Sequence, residues 1–349
     1  MIRGFIRTGD TMKHRQLGAS GLSASAIGLG CMGMSEFYGQ TDDEASLRTL
    51  ERALALGVTH FDSADTYGLG HNEDLLGRFL AEGGAARRQQ VVLATKFGIV
   101  RAAGRYERRI DNSPAYIREA CEASLRRLGT DHIDLYYCHR RDPAVPIEDV
   151  VGTMGELVRA GKVRAIGLSE VSVETLRRAH AVFPVAAVQS EYSLWSREPE
   201  AGMLAACAEL GTAFVAYSPL GRAFLTGTLE TDALSDTDFR KNNPRFVGEA
   251  RAANQRLVEA LTAFACERGL SNSQVALAWL LNKHAHVVPI PGTRRIAYLE
   301  SNVSAVDIAL TPREIEQLDR LFDPRAVAGS RYPEAGLVGI ESPRAPGSR

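Results

Sequence analysis

Eight short runs of apolar, largely β-branched residues, separated by amphipathic stretches, constrain this 349-residue chain more than any other feature. The runs lie at 26–30, 59–62, 91–96, 133–138, 165–168, 187–189, 213–217 and 287–290. They are apolar on both faces, as parallel strands buried inside a sheet must be. The stretches between them carry helix punctuation. A helix over 42–56 follows Thr41, a good N-cap, and stops at Gly57. Another starts at Ser113-Pro114 and ends at Gly129. Stretches 146–160, 271–283 and 312–321 follow the same grammar, the last with Thr311 as its cap. Strands alternating with helices predict an α/β fold, a (β/α)8 barrel in one domain rather than two domains. A barrel of about 250 residues plus insertions accounts for nearly the whole chain.

Two segments depart from eight plain repeats. Residues 15–22, with Gly18-Ala19-Ser20-Gly21 between short apolar runs, read as an N-terminal hairpin placed to plug the bottom of the barrel. Residues 218–249 form a long irregular loop leaving the seventh strand, as a cover over the active face would. Residues 1–11 read as a flexible extension, 12–333 as the barrel, and 334–349 as a tail expected to fray.

Bulk properties exclude several function classes. The net charge is -1 with both signs interspersed, which gives no electrostatic case for nucleic acid or an anionic membrane. The five cysteines are scattered and form no CxxC, which argues for a reducing, cytoplasmic setting and against a disulfide framework or a zinc ribbon. No apolar run reaches about 18 residues, and the N-terminus lacks the apolar segment of a signal peptide. Nothing in the sequence sets an oligomeric state.

A literal GxGxxG stands at Gly28, Gly30 and Gly33, but MSEFYGQTDD separates it from the next helix. A dinucleotide turn of the Rossmann type needs that helix to begin at the glycines, so they read instead as backbone approaching a ligand at the end of the first strand. YxxxK, Walker A, HExxH and GxSxG are absent. His284 and His286 precede the eighth strand, on the face opposite the chemistry, and read as structural; no metal is expected.

Asp62, Lys96 and His139 close the second, third and fourth runs, and Tyr67 follows Asp62 by five residues. Strand ends of this kind converge on one barrel face, where such proteins place their chemistry. A phenol has a pKa of about 10, and a nearby ammonium stabilises its phenolate. Lys96 is therefore expected to lower the pKa of Tyr67, with Asp62 holding Lys96 in place and charged. Tyr67 then serves as general acid toward a carbonyl oxygen, and His139 donates a second hydrogen bond to it. The redox step needs a hydride from a cofactor. Ser169 and Gln189 suit an amide such as nicotinamide's, and Tyr217 suits stacking on a flat heterocycle. Gly292, Thr293, Arg294 and Arg295 follow the eighth strand, a common phosphate site in such barrels. Met34, Phe37, Tyr38, Val100 and Trp195 lie where they can line a partly apolar substrate pocket.

The stretches FDSADTYG, LATKFG, YYCHRRDP, KVRAIGLSE, VQSEYSL, AYSPLGRAFLTG and PIPGTRRIAYLESNVSA occur in an order that closely resembles the aldo-keto reductases. The resemblance runs from about Arg15 to Tyr332. GLSE, PIPGT and RYPEA resemble the short-loop bacterial, fungal and plant branch, which includes proteins like pyridoxal reductases and potassium-channel β-subunits. It implies a (β/α)8 barrel, NADPH-dependent reduction of an aldehyde or ketone, and a tetrad of Asp62, Tyr67, Lys96 and His139. The implied NADP(H) contacts are Gly30, Cys31 and Met32 through their backbone, then Ser169, Gln189, Tyr217, Ser218, Pro219, Leu220, Gly221, Gly292, Thr293, Arg294 and Asn302. This chain departs from many members at three places. Glu170 stands where Asn is common, Ser301 where an acid precedes the late Asn, and Tyr298 where an Arg is common. Two other functions use the same barrel face. Lys96 can form a Schiff base, as in an aldolase or lyase, and the barrel can act as a redox-sensing binding subunit.

Overall fold

The structure, a computed structural model, describes residues 12–103, 108–236 and 238–341. The chain opens with an antiparallel hairpin of β1 (His14–Gln16) and β2 (Ser23–Ser25). It continues through β3 (Leu29–Gly30), α1 (Asp43–Ala55), β4 (His60–Asp62), α2 (His71–Gln90) and β5 (Val92–Phe97). A second hairpin, β6 (Ile99–Arg101) with β7 (Arg108–Ile110), precedes α3 (Pro114–Leu128). Then follow β8 (Ile133–Cys138), α4 (Ile147–Arg159), β9 (Val163–Ser169), α5 (Val173–Val182), β10 (Val185–Glu191) and α6 (Met203–Leu210). The remaining elements are β11 (Ala213–Tyr217), α7 (Gly248–Glu267), α8 (Asn272–Lys283), β12 (Val287–Pro289), α9 (Ile296–Ser304) and α10 (Pro312–Leu321).

Eight strands, β3, β4, β5, β8, β9, β10, β11 and β12, pair in parallel in that order. Gly28 N donates to Pro289 O at 2.9 Å, and Gly30 forms a parallel bridge with Gly292, which joins the last strand to the first and closes the (β/α)8 barrel. A Cβ on Gly30 would stand 2.9 Å from the Ile290 carbonyl oxygen. The glycines thus let strand one approach strand eight. That is a different reason from the ligand approach expected of them, although Gly30 and Gly33 also face the cavity described below. The helix after them starts only at Asp43.

The predicted hairpin is the barrel's plug. Leu17, Leu22 and Ala24 pack with Ala94, Leu135, Tyr137, Ala187, Val215 and Val288 inside the barrel. Ser113, Ser271 and Thr311 cap their helices through side-chain oxygens, the last two in full capping boxes. The first helix is capped by Asp42, not Thr41, because the Asp42 carboxylate accepts from Ala45 N. His284 and His286 precede β12 at the barrel bottom, and no cluster fit for a metal exists among the described residues. No helix among them is long and apolar enough to cross a membrane.

The described residues of 218–249 contain three 3-10 turns ahead of α7, and several of these residues wall the cavity as the cover reading requires. The tail does not fray at Pro333. Glu334–Leu337 forms a 3-10 turn, and Glu341 accepts from Ser172 N at 3.1 Å and pairs with Arg141 at 3.0 Å. Residues 1–11 and 342–349, the outer parts of the expected extension and tail, lie outside the described residues.

Candidate active site

Three strand ends and one loop bring the tetrad together. Asp62 ends β4, Lys96 is the penultimate residue of β5, and His139 follows the end of β8. Tyr67 opens a 3-10 turn just beyond β4. Lys96 Nζ donates to Asp62 Oδ1 at 2.5 Å, to the Ser63 carbonyl at 2.6 Å and to the Tyr67 hydroxyl at 3.4 Å. Gln189 Nε2 holds the other Asp62 oxygen at 2.7 Å. The Tyr67 and His139 rings meet edge to face, with centroids 5.7 Å apart. His139 Nδ1 is buried and has no partner.

The electrostatics differ from the expectation at one point. Burial, reinforced by the Asp62 carboxylate, pushes the Tyr67 phenol well above its ordinary range, and Arg140 is the first group pulling it down. Lys96 is locked to Asp62 and reaches the phenol only through its longest contact, so the pair presents little net charge and desolvation wins. Tyr67 is accordingly held as a neutral hydroxyl. Burial also lowers Lys96, opposed by Asp62. Burial, then Arg140 and Lys96, holds His139 well below the usual imidazole range, so it is a neutral donor rather than a cation.

These groups face a cavity of about 460 Å3, ample for a small ligand. Asp62, Tyr67 and His139 line it, as do Gly30, Met32, Ser169, Gln189, Tyr217, Ser218, Pro219, Leu220, Gly292, Thr293 and Arg294. Three expected cofactor residues stand outside its wall. Cys31 is buried, with its N–H on Asp62 O and its carbonyl taken by Asn72. Gly221 packs on Trp195, where a Cβ would stand 2.5 Å from the indole. Asn302 is buried on α9. Phe37 and Tyr38 line the cavity; Met34, Val100 and Trp195 do not. Strand alternation in β6 turns Ile99 and Arg101 inward and Val100 away. Trp195 stacks on Phe224 and Phe246 beneath the cover loop.

Glu170, the first departure, is fully buried and does not line the cavity. It accepts two bonds from Arg331, both at 2.9 Å, and one from the Tyr217 hydroxyl at 2.7 Å. Its carboxyl is pulled down to about 2 despite burial, chiefly by Arg331. The reading of the sequence missed Arg101, Arg108, Arg140, Arg222 and Tyr332 on the cavity wall. Arg101 and Arg108 belong to the hairpin β6–β7, whose signal was two short basic-apolar runs around Gly104. Arg222 and Tyr332 are brought together from distant segments, with the guanidinium 4.4 Å from the ring centroid, and no local pattern announces that.

The donor set suits a nicotinamide dinucleotide phosphate. Ser169, Gln189 and the Tyr217 ring lie at the tetrad's end of the site, and Thr293, Arg294 and Arg295 form a basic turn beyond β12. Arg294 donates to the carbonyls of Tyr38, at 2.7 Å, and Gln40. It therefore also ties down the loop between β3 and α1.

The sequence model of the aldo/keto reductase family matches residues 26–323. An aldo-keto reductase from Schizosaccharomyces pombe, yakc [NADP(+)], is 44% identical over 312 residues, covering 88% of this chain and 91% of that protein. The glycerol dehydrogenase AKR11B4 from Gluconobacter oxydans superposes with a TM-score of 0.80 at 28% identity, covering 97% of this chain and 99% of the other. The aldo-keto reductase AKR11C1 from Bacillus halodurans gives 0.72 at 28% identity, covering 90% and 97%. The chain belongs to the aldo/keto reductase family. It is an NADP-dependent oxidoreductase, and its cofactor is NADP(H).

Proposed function

We propose that this chain reduces an aldehyde or ketone to the alcohol, with Tyr67 as proton donor. One observation carries the reading: Lys96 Nζ bridges Asp62 and the Tyr67 hydroxyl while the neutral His139 ring stands edge-on to that phenol, all at one cavity. Bound NADPH supplies the hydride. The residues do the rest. Tyr67, held protonated by burial, gives its proton to the oxygen on which negative charge develops, a stronger base than phenolate. His139 offers an N–H to the same oxygen, and the Asp62–Lys96 pair fixes the phenol in place. Ser169, Gln189 and Tyr217 orient the nicotinamide end, and the turn 292–295 takes the phosphates.

The Schiff-base reading is set aside on geometry. Lys96 is 0% exposed and directs its amine at three oxygen acceptors, which leaves no free lone pair to attack a carbonyl. No observation favours the redox-sensing binding subunit. All five cysteines are unpaired, which supports a reducing compartment such as the cytoplasm.

NADPH oxidation over a panel of aldehydes and ketones tests the reading. Turnover of at least one carbonyl class is expected, and none across the panel would contradict it. In Arg294→Ala, loss of a charged hydrogen bond, worth about 1.5–3 kcal/mol, should weaken NADPH and leave NADH nearly unchanged. Equal weakening of both in a binding titration would show that Arg294 only ties down its loop.

A further inference from the structure

The wall beside Tyr67 holds a guanidinium that the chemistry above does not use. Arg140 directly follows His139, is 5% exposed and lines the cavity. Its Nη1 donates to the His139 carbonyl at 2.8 Å and to the Ser169 hydroxyl at 3.3 Å. Its Nε is buried without a partner, and no hydrogen bond to Nη2 exists among the described residues. Nη2 is therefore left without a protein partner at the cavity, where it can donate a charged hydrogen bond to a carboxylate.

Four other arginines around the site have carboxylates of their own. Arg101 pairs with Glu36, Arg222 with Glu191 at 2.7 Å, Arg240 with Asp238 at 2.7 Å and Arg331 with Glu170 at 2.9 Å. Arg140 has no carboxylate within ion-pair distance among the described residues. Burial opposes the Arg140 charge, but Tyr217, Tyr332 and Glu170 together raise its pKa on balance, and Glu170 is itself already held by Arg331 and Tyr217. A cation at a cleft wall that stays charged but touches no carboxylate is placed to receive an arriving anion.

Two observations place that anion on the substrate. The basic turn suited to cofactor phosphates, Thr293–Arg295, follows β12, whereas Arg140 follows β8 and touches His139 and Ser169. The group expected at Ser169, a carboxamide, is neutral. Lys96 is also neutralised by Asp62, whereas Arg140, beside the tetrad, has no carboxylate of its own among the described residues. Resting on the carbonyl-reductase reading, we propose that the substrate is a short oxo acid, with its carbonyl at Tyr67 and His139 and its carboxylate on Arg140. Arg140 Nη1 lies 2.8 Å from the His139 carbonyl, so the carboxylate sits beside the residue that holds the substrate carbonyl, as a short acid requires.

Steady-state reduction of matched pairs, a 2-oxo acid against its methyl ester and a short ω-oxo acid against its ester, reads this directly. Wild-type enzyme should favour the acid of at least one pair in kcat/KM. Arg140→Gln should cost the acid about ten- to a hundredfold more than the ester, the range of one charged hydrogen bond. Arg140→Lys, which keeps the charge but not the fork, should retain part of the preference. Calorimetric titration of oxamate, an unreactive oxo-acid isostere, into the NADP+ complex should show binding that Arg140→Gln loses; NADPH affinity is measured alongside. Preference for the ester in both pairs, equal loss for acid and ester, or unchanged oxamate affinity would each overturn the assignment. If no carbonyl is reduced at all, the reductase reading fails, and the oxamate titration still decides whether Arg140 holds a carboxylate.

Discussion

At the scale of the residue, the site is a buried ion pair with a phenol attached. Lys96 and Asp62 are 0% and 2% exposed and 2.5 Å apart, and Gln189 and the Ser63 carbonyl complete their hydrogen bonding. Breaking such a pair by removing one charge leaves the other uncompensated, at a cost of about 3–5 kcal/mol. Asp62→Asn should therefore lower unfolding free energy by roughly that amount, measured by denaturant titration, besides slowing turnover. A change within experimental error would mean the pair is not formed in solution. The identities of the four residues were legible because each ionisable group closes an apolar run or follows one closely. The pKa balance was not legible. Whether Lys96 or burial governs Tyr67 depends on distances of 2.5 and 3.4 Å, which spacing along the chain does not encode.

At the scale of the element, strand ends position the chemistry and two irregular segments enclose it. Punctuation revealed five helices, since residues such as Ser113 and Thr311 stand before helical periodicity and Gly57 and Gly129 after it. The hairpin β6–β7 escaped notice because its strands are three residues long and, unlike β1–β2 with Gly18 and Gly21, no pair of glycines marks a turn between them. The C-terminal segment is held on the barrel by Arg331 and Glu170, a contact 161 residues apart in sequence that no local signal announces. The structure lowers the Glu170 pKa from 4.5 to about 2. A carboxylate with a depressed folded pKa contributes stability that is complete above the unfolded pKa and is lost as pH falls through the folded one. The stability gap between wild type and Arg331→Leu should thus be largest above pH 4.5 and shrink toward pH 2, as thermal unfolding across that range would show. A gap independent of pH would argue that Arg331 acts by packing alone.

At the scale of the whole molecule, one closed barrel gathers Asp62, Tyr67, Lys96, His139, Ser169, Gln189 and Tyr217 from six strands and a loop onto a single face. Alternation of strands and helices made that architecture legible, and the plug at its base followed from two glycines between apolar runs. What stayed hidden is the wall built by long-range packing, where Arg140, Arg222 and Tyr332 meet residues far away in sequence. The account as a whole depends on Tyr67 giving a proton as hydride arrives. Single-turnover reduction of a reactive aldehyde by Tyr67→Phe, with NADPH binding followed by fluorescence, tests this most directly. The expected result is near-wild-type NADPH affinity with the reduction rate lowered by about 10²–10⁴-fold, the usual contribution of a positioned general acid. A variant that binds NADPH and reduces the aldehyde at close to the wild-type rate would contradict the account.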